Sequence, residues 1–271
     1  MDKPVEETVN RRTRGLDRAF DILDCLREAG RPLRPNEIAA AMAAPRSTVY
    51  EIVNALMKLD VLEAAGGDGR VFLGRRLFLY GQAYGQQSDL PDRVAAVLDK
   101  VAGDTQETAQ FCLLDGNKYT VAMMREGPRP FRISSNVGER TPIPWTASGR
   151  LLLGHMSEEQ IRAFVPADDF RLPSGDMLDP GEFARQSHRA VREGYFTFDS
   201  IVDSYTHCFA VPVCRPDGTA AATLCLVAPK ADASRNHADY LHTLRQAAET
   251  LQPLFIDDAA SQRSLGRTFS R

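Results

Sequence analysis

The sequence predicts an α+β protein, in which a small N-terminal winged helix-turn-helix precedes a larger domain with an antiparallel sheet. Two patterns carry this prediction. Apolar residues recur at helical spacing through three segments of residues 16–59, and a glycine-rich turn joins two short apolar runs directly behind them. Beyond residue 90, helical segments are interspersed with paired strand-like runs that tight turns connect, which is typical of α+β architecture.

Length and composition bound the class of protein. The 271 residues suffice for one large or two modest domains, and 25% charged with 43% hydrophobic residues is ordinary for a soluble globular chain. No apolar run reaches the roughly 18 residues that a membrane-spanning helix needs. Residues 1–15 lack the apolar core of a signal peptide, so we expect a cytoplasmic protein. The cysteines form no CxxC pair and are expected to be free thiols in a reducing compartment: Cys25, Cys112, Cys208, Cys214 and Cys225.

Two helices are predicted at the start of the N-terminal domain, after a flexible arm at residues 1–15. Gly30 and Pro32 end the first helix, because glycine favours the position after a helix and proline cannot continue one. Pro35 suits the first turn of a second, shorter helix that runs to Met42. The first helix is indicated by the spacing of Leu16, Ala19, Leu23 and Leu26.

A third helix follows, and its two faces differ sharply in polarity. It starts either at Pro45 or at a capping box formed by Thr48 and Glu51. One face is an apolar stripe and the other is polar, which is typical of a helix that packs on one side only. The stripe consists of Val49, Ile52, Val53, Leu56 and Leu59.

A β-hairpin and a connecting helix complete the N-terminal part. Residues 61–63 and 70–73 are predicted strands, and the glycines around Asp68 supply the turn. Three helices followed by a hairpin within about sixty residues indicate a winged helix-turn-helix over residues 16–74. A helical pattern then resumes, so we predict a linker helix at residues 75–90.

The larger domain is predicted over residues 91–260, with a tail at residues 261–271. Tight turns separate the strands, and a Ser-Glu-Glu-Gln capping box at residues 157–160 starts one helix. Gly194 ends another helix, and a long amphipathic helix closes the domain. The predicted strands are residues 108–114, 118–125, 131–136, 195–201, 207–214 and 220–227.

Five segments, in this order, resemble the IclR family of bacterial transcription regulators. They are PRSTVYEIVNALMKLDVLE, RVFLG, VGERTPIPWTASGRLLLG, GYFTFDS and HCFAVPVCRPDGTAAATLCLV. The resemblance extends from about Leu16 to Phe255. It implies a winged-helix DNA-binding domain, a linker helix and a GAF-like effector domain, assembled as a homodimer or tetramer.

The third helix carries the side chains expected to contact a double-stranded DNA operator. Cations, hydroxyls and helix N-terminal amides bind phosphates, and an asparagine pairs with adenine through two hydrogen bonds. Glu51 departs from the family pattern, which often has a basic residue there; its carboxylate would repel phosphates or accept from a cytosine amino group. An ordinary capped helix with solvated polar residues remains the alternative. The candidate DNA contacts are Arg46, Ser47, Thr48, Tyr50, Asn54 and Arg70, with Arg11, Arg12 and Arg14 on the arm.

The resemblance also implies an effector pocket on one face of the second domain's sheet. The backbone N–H groups of Ala147 and Ser148 would suit a carboxylate at a helix N-terminus. Each of the side chains also has a structural alternative, such as a core thiol or an interior aromatic anchor. The candidate effector contacts are Phe131, Ile133, Trp145, Ala147, Ser148, Asp199, Cys208 and Cys225.

No catalytic or metal-binding motif is found in the sequence. It contains no GxSxG, no Walker loop and no GxGxxG with an acidic partner, and its histidines lack metal-ligand spacing. His207 and Cys208 are strand neighbours and point to opposite faces, so they cannot act as a dyad. We therefore expect neither an enzyme nor a cofactor. The resemblance implies a transcription regulator, which we expect to be a repressor that responds to a small organic acid or semialdehyde. The alternative is a small-molecule-binding or catalytic domain whose N-terminal domain serves only association.

Overall fold

The computed structural model describes residues 5–87, 89–129 and 136–255, with the backbone alone for residues 5–14 and 87. The chain divides into two compact units between Asp89 and Leu90. Within the described ranges, no helix combines the length and apolar character that crossing a membrane would require.

The first unit consists of helices followed by a two-stranded hairpin and a further helix. Its elements are α1 (Val5–Ala29), α2 (Pro35–Ala41), α3 (Arg46–Lys58), β1 (Leu62–Ala64), β2 (Val71–Leu73) and α4 (Arg75–Gln87). The two strands pair antiparallel, with Leu62 opposite Leu73 and Ala64 opposite Val71. The three helices and the hairpin behind them agree with the predicted winged helix-turn-helix.

Residues 5–15 are helical, so the prediction of a flexible arm is wrong for them. Gly15 did not mark a boundary. It lies inside α1, where glycine costs about 1 kcal/mol relative to alanine and is tolerated in a long helix.

One apolar core holds the first unit together. Val49 and Val53 of α3 are buried against α1 and α2, and burying such side chains contributes roughly 1.5–3 kcal/mol each. Leu59, predicted on the same stripe, follows the last helical residue and is exposed. The remaining buried apolar residues of this core are Ile22, Leu26, Leu33, Ile38, Ala39, Leu62 and Val71.

The second unit is a six-stranded antiparallel sheet with helices on both faces. Its strands are β3 (Thr108–Asp115), β4 (Lys118–Arg125), β5 (Arg140–Thr141), β6 (Phe196–Asp199), β7 (Thr206–Cys214) and β8 (Ala220–Pro229). The spatial order is β5-β4-β3-β8-β7-β6, so β3 and β8, distant in sequence, pair at the centre. The helices are α5 (Leu90–Thr105), α6 (Ala147–Leu152), α7 (Glu158–Phe164), α8 (Pro180–Glu193) and α9 (Lys230–Leu251).

Strand alternation divides the core of this unit in two. Phe209 and Leu224 face α5 and α9, and Ala210 and Cys225 face α6 and α8. The capping box predicted at residues 157–160 is formed at the start of α7. Gly194 ends α8 with φ 72°, as predicted. The strand predicted at residues 131–136 lies outside the described residues except for Asn136, and residues 261–271 lie outside them entirely.

Candidate functional site

Helix α3 presents its polar face to solvent. Arg46, Ser47, Tyr50 and Asn54 are exposed and Thr48 is partly exposed, whereas the apolar face of the same helix is buried. Tyr50 retains 45% of its surface, which is high for a large aromatic side chain in a folded domain. The described geometry therefore leaves all the predicted contacts on this helix accessible to a partner.

The N-terminus of α3 has no side-chain cap. The helix begins directly after Pro45, and the capping box proposed for Thr48 and Glu51 is not formed. Helix N-termini present unsatisfied N–H groups and a partial positive charge, so an uncapped end favours a bound anion. Glu51 is exposed one turn further along.

Arg70 lies at the hairpin and is also exposed. Its Nη1 is 3.3 Å from Oδ2 of Asp68, and Arg34 contacts the same carboxylate at 3.4 Å. Surface ion pairs of this kind contribute about 0–1 kcal/mol, so a phosphate could replace Asp68 at little cost. The side chains of Arg11, Arg12 and Arg14 lie outside the described side chains.

A cavity of about 600 Å³ lies in the second unit beside α6 and the sheet. Five of the predicted effector residues line it: Trp145, Ala147, Ser148, Cys208 and Cys225. Phe131 and Ile133 lie outside the described residues. A cavity of this volume accommodates a small organic molecule.

Asp199 does not line the cavity, so the prediction for this residue is corrected. It is the last residue of β6 and lies with His207 and Lys230 in a separate, smaller cleft. Phe198, which precedes Asp199, lines the cavity instead. Successive side chains on a strand point to opposite faces, so a shift of one residue moves the assignment to the wrong face.

Sequence reasoning missed several cavity residues that lie on neighbouring strands. Gln110 pairs with Cys225, and Phe198 pairs with Cys208, so each shares the face of a predicted residue. Strand pairing would have identified them, but the pairing of β3 with β8 is not a local property of the sequence. The other missed lining residues are Tyr119, Val121, Asn136, Glu139, Thr141, Thr146, Ser200, Val202, Asp203, Tyr205, Thr206 and Val227.

Hydroxyl and thiol groups form hydrogen bonds in and behind the wall of the cavity. Thr223 donates from Oγ1 to Oγ of Ser148 at 2.7 Å, and Ser148 Oγ lies 2.7 Å from Sγ of Cys225. Tyr119 donates to Sγ of Cys112 at 2.9 Å. The side chain of Ser148 is therefore already engaged within the protein, which leaves its backbone N–H as the group that it offers a ligand.

The buried thiols of Cys112 and Cys208 are held neutral. Burial raises the pKa of Cys208 to about 12 and raises the pKa of Cys112 well above its ordinary value. Cys208 lines the cavity, while His207 points away from it and bonds Asp199. A neutral thiol is a weak hydrogen-bond donor and a poor nucleophile, so Cys208 contributes surface rather than chemistry.

Asp203 and Glu139 are the charged side chains among the described residues that line the cavity. Asp203 accepts from the backbone N–H of Tyr205 at 2.9 Å and of Thr206 at 2.7 Å. Although burial raises the pKa of Asp203, these bonds and those from the Thr206 and Ser200 hydroxyls lower it below its ordinary value. Its carboxylate is therefore ionised and orders the loop beside the cavity.

The described ranges contain no group of three or more metal-ligating side chains placed to hold an ion. The Asp199–His207 pair faces away from the cavity.

Both units match one family of known proteins. Residues 15–66 match the IclR helix-turn-helix domain, and residues 82–252 match the C-terminal domain of the bacterial transcriptional regulator IclR. The curated relative KipR, an HTH-type transcriptional regulator of Bacillus subtilis, is 22% identical over 207 residues, which are 76% of this chain and 82% of KipR.

Solved structures share the fold. An IclR transcriptional regulator from Alicyclobacillus acidocaldarius aligns with a TM-score of 0.75 at 21% identity, over 89% of this chain and 98% of its own. An IclR homologue from Microbacterium hydrocarbonoxydans, solved in complex with 4-hydroxybenzoate, aligns with a TM-score of 0.70 at 24% identity and the same coverage, 89% and 98%.

Proposed function

The chain belongs to the IclR family of bacterial transcription regulators, and we propose that it is a repressor whose operator affinity is changed by a small organic acid or semialdehyde. In this proposal residues 16–74 form the DNA-binding domain, residues 75–90 form the linker and residues 91–260 form the effector domain. The observation that carries the proposal is the polarity of α3, whose buried apolar face fixes an exposed and uncapped polar face.

The DNA contacts divide by chemistry. Arg46, Ser47 and Thr48 surround the N-terminus of α3 and would bind phosphates, and Arg70 would reach the backbone beside the hairpin. Tyr50 and Asn54 lie one turn apart on the exposed face, from which they would reach base edges in the major groove. Glu51, between them, would favour a cytosine or exclude a close phosphate.

Exposed aromatic and aliphatic side chains in the first unit support assembly of two copies. Leu16 and Phe20 of α1 are four residues apart and each 60% exposed, and Tyr80 and Tyr84 of α4 repeat this spacing and exposure. Large apolar side chains exposed at such spacing favour an association site, and two copies would bind a pseudo-palindromic operator. Phe20→Asp should shift the protein toward monomer in size-exclusion chromatography with light scattering, whereas Val191→Asp on α8 should not.

The cavity of the second unit is the proposed effector site. The backbone N–H groups at Ala147 and Ser148 suit a carboxylate, and the relative in complex with 4-hydroxybenzoate supports a small acid as the ligand class. An effector changes DNA affinity only if it binds unequally to the DNA-competent and incompetent arrangements.

DNA selection provides the test. Binding sites would be selected from random duplexes with the full chain, and their affinity would be measured at several salt concentrations, since phosphate contacts make binding salt-dependent. We expect one sequence to be preferred and Thr48→Glu to abolish its binding, because a carboxylate at the helix N-terminal turn repels phosphate. Thr250→Glu, the same change on the exposed side of α9, is the matched control. Equal binding of all duplexes, or unchanged binding by Thr48→Glu, would contradict the proposal.

A further inference from the structure

Arg150 of α6 is a buried cation that has no carboxylate partner among the described residues. It is 5% exposed, and its Nη1 donates to the carbonyl oxygens of Pro144 at 2.8 Å and Thr146 at 2.7 Å. Its Nε donates to Oε1 of Gln186 at 3.1 Å. Each acceptor is neutral. Burial lowers the pKa of Arg150 to about 9, so the guanidinium remains charged at neutral pH.

Three aromatic rings enclose the guanidinium without neutralising it. Its Cζ lies 5.0 Å from the ring centroids of Phe183 and Phe196 and 5.2 Å from that of Phe198. Aromatic faces and carbonyl dipoles attract a cation, but they leave its net charge in place. Buried charges are usually paired, because removal from water is costly. Arg150 therefore keeps a full positive charge in the interior that nothing within the described residues balances.

This charge lies directly behind the cavity. Phe198 covers the guanidinium on one side and lines the cavity on the other. Thr146 also lines the cavity, and its carbonyl oxygen accepts from Arg150. The N–H of the same peptide group belongs to Ala147 and points the opposite way, because the peptide is trans. A hydrogen bond from a cation to the carbonyl polarises the peptide and makes that N–H a stronger donor.

The side chains that line the cavity provide no cation of their own within the described ranges. The charged members, Glu139 and Asp203, are both acidic. Asp203 is occupied by the loop hydrogen bonds, and Glu139 accepts from Nδ2 of Asn136 at 2.6 Å. Among the described lining residues the charged side chains would disfavour an anion, whereas the positive charge of Arg150 behind them would favour one.

We propose that Arg150 makes this cavity select an anionic effector, with its unbalanced charge acting across Phe198 and the Thr146–Ala147 peptide. The inference rests on the proposed effector site. Arg150 does not touch the ligand, and is a positioning and selectivity residue. The ligand class that it favours is an organic carboxylate, and a ligand hydroxyl would suit the acidic side chains of the same cavity.

The test compares acids with their neutral amides. Benzoate with benzamide, and 4-hydroxybenzoate with 4-hydroxybenzamide, are matched in shape and differ in charge. Their dissociation constants would be measured by calorimetry on the full chain, on Arg150→Met and Arg150→Gln, and on Arg150→Lys, which keeps the charge. Arg189→Met, an exposed arginine of α8, controls for the loss of one positive charge. Near-ultraviolet circular dichroism would establish that each variant is folded.

We expect the unaltered protein and Arg189→Met to bind an acid at least about tenfold more tightly than its amide, the effect of one charge-assisted interaction. The ratio should fall to near one in Arg150→Met and Arg150→Gln through loss of acid affinity alone, and Arg150→Lys should restore part of it. An unchanged ratio in the neutral variants overturns the inference, as does an equal loss of acid and amide binding. If the unaltered protein binds no acid of the panel, the inference and the effector site both fail. Operator binding, measured separately, tests the DNA-binding function independently.

Discussion

Asp199 and His207 are hydrogen-bonded on the face of the sheet opposite the cavity, with Oδ1 of Asp199 2.8 Å from Nδ1 of His207. Nζ of Lys230 lies 3.1 Å from Oδ2 of the same Asp199 carboxylate. The hydrogen bonds from His207 and Lys230 lower the pKa of Asp199 below its ordinary value. The adjacent residues Phe198 and Cys208 pair with each other and line the cavity. One face of β6 and β7 therefore lines the cavity and the other does not. Substitutions at neighbouring residues of these strands should differ in their effect on ligand binding.

Asp199→Ala should leave effector affinity within about twofold, because the side chain lies outside the cavity and its exposed ion pairs are weak. Phe198→Ala should weaken binding by about tenfold or more, since it removes an aromatic wall and uncovers Arg150. Calorimetry with the tightest-binding acid of the panel checks both variants. A large loss in Asp199→Ala with Phe198→Ala unaffected would show that the neighbours have been assigned to the wrong faces.

The two kinds of DNA contact predict two kinds of loss. Asn54→Ala should cost about 1–3 kcal/mol on the selected operator and relax preference at one base pair, because a base contact is removed. Arg46→Ala should weaken binding to all duplexes and reduce the slope of log affinity against log salt by about 0.9, the contribution of one phosphate. Lys100→Ala, an exposed cation on α5, is the control. A changed salt slope in Asn54→Ala, or none in Arg46→Ala, would contradict these roles.

Local signals in the sequence predicted most of the elements. The stripe of α3, the glycines of the hairpin and the capping box before α7 act within a few residues, so a single sequence reveals them. Such signals did not predict that residues 5–15 extend α1, because Gly15 resembles a helix boundary. Glycine inside a helix costs only about 1 kcal/mol relative to alanine, so Gly15 alone does not end α1.

The cavity was only partly predictable, because its wall depends on strand pairing. Cys208 and Cys225 were placed correctly on the cavity side. Asp199 was misplaced by one residue, and one residue on a strand is the whole difference between two faces. Gln110 joins the wall only because β3 pairs with β8, more than a hundred residues away. Arg150 could not be identified from spacing, since the lack of a counter-ion among the described residues is a property of the packed structure.

Asp203 should make stability depend on pH in the acid range. Its pKa is lowered in the folded protein, so the unfolded chain binds the proton more tightly and the contribution of Asp203 is present above the ordinary pKa of about 4. It is lost as the pH falls through the folded pKa. Asp203→Asn should lower stability by about 1 kcal/mol at pH 7 and flatten the acid decline. The free energy of unfolding in urea, measured between pH 7 and pH 3, checks this. Parallel plots of that free energy against pH for the two proteins would contradict it.

Gly149 lies against the carbonyl oxygen of Ile143, so closely that a Cβ at this position would overlap with it. This contact folds the 143–145 turn onto α6 and sets the positions of Trp145 and Thr146 on the cavity wall. The nearest of these atoms is the backbone oxygen of Ile143, which cannot move aside as a flexible side chain would, and Cγ2 of the same residue is also close. Gly149→Ala should therefore destabilise the second unit by about 1–3 kcal/mol, the usual cost of overpacking.

The same substitution should displace the peptide that Arg150 polarises and so weaken acid binding more than amide binding. Gly103→Ala provides the matched control, because a Cβ there meets nothing within 4 Å and alanine favours the helix. Urea unfolding measures the stability of both variants. Calorimetry on the folded proteins measures the ratio of the dissociation constants for the acid and its amide. The prediction is contradicted if Gly149→Ala is as stable as the unaltered protein and keeps the same preference for acid over amide. The close contact with Ile143 would then not fix the position of the turn.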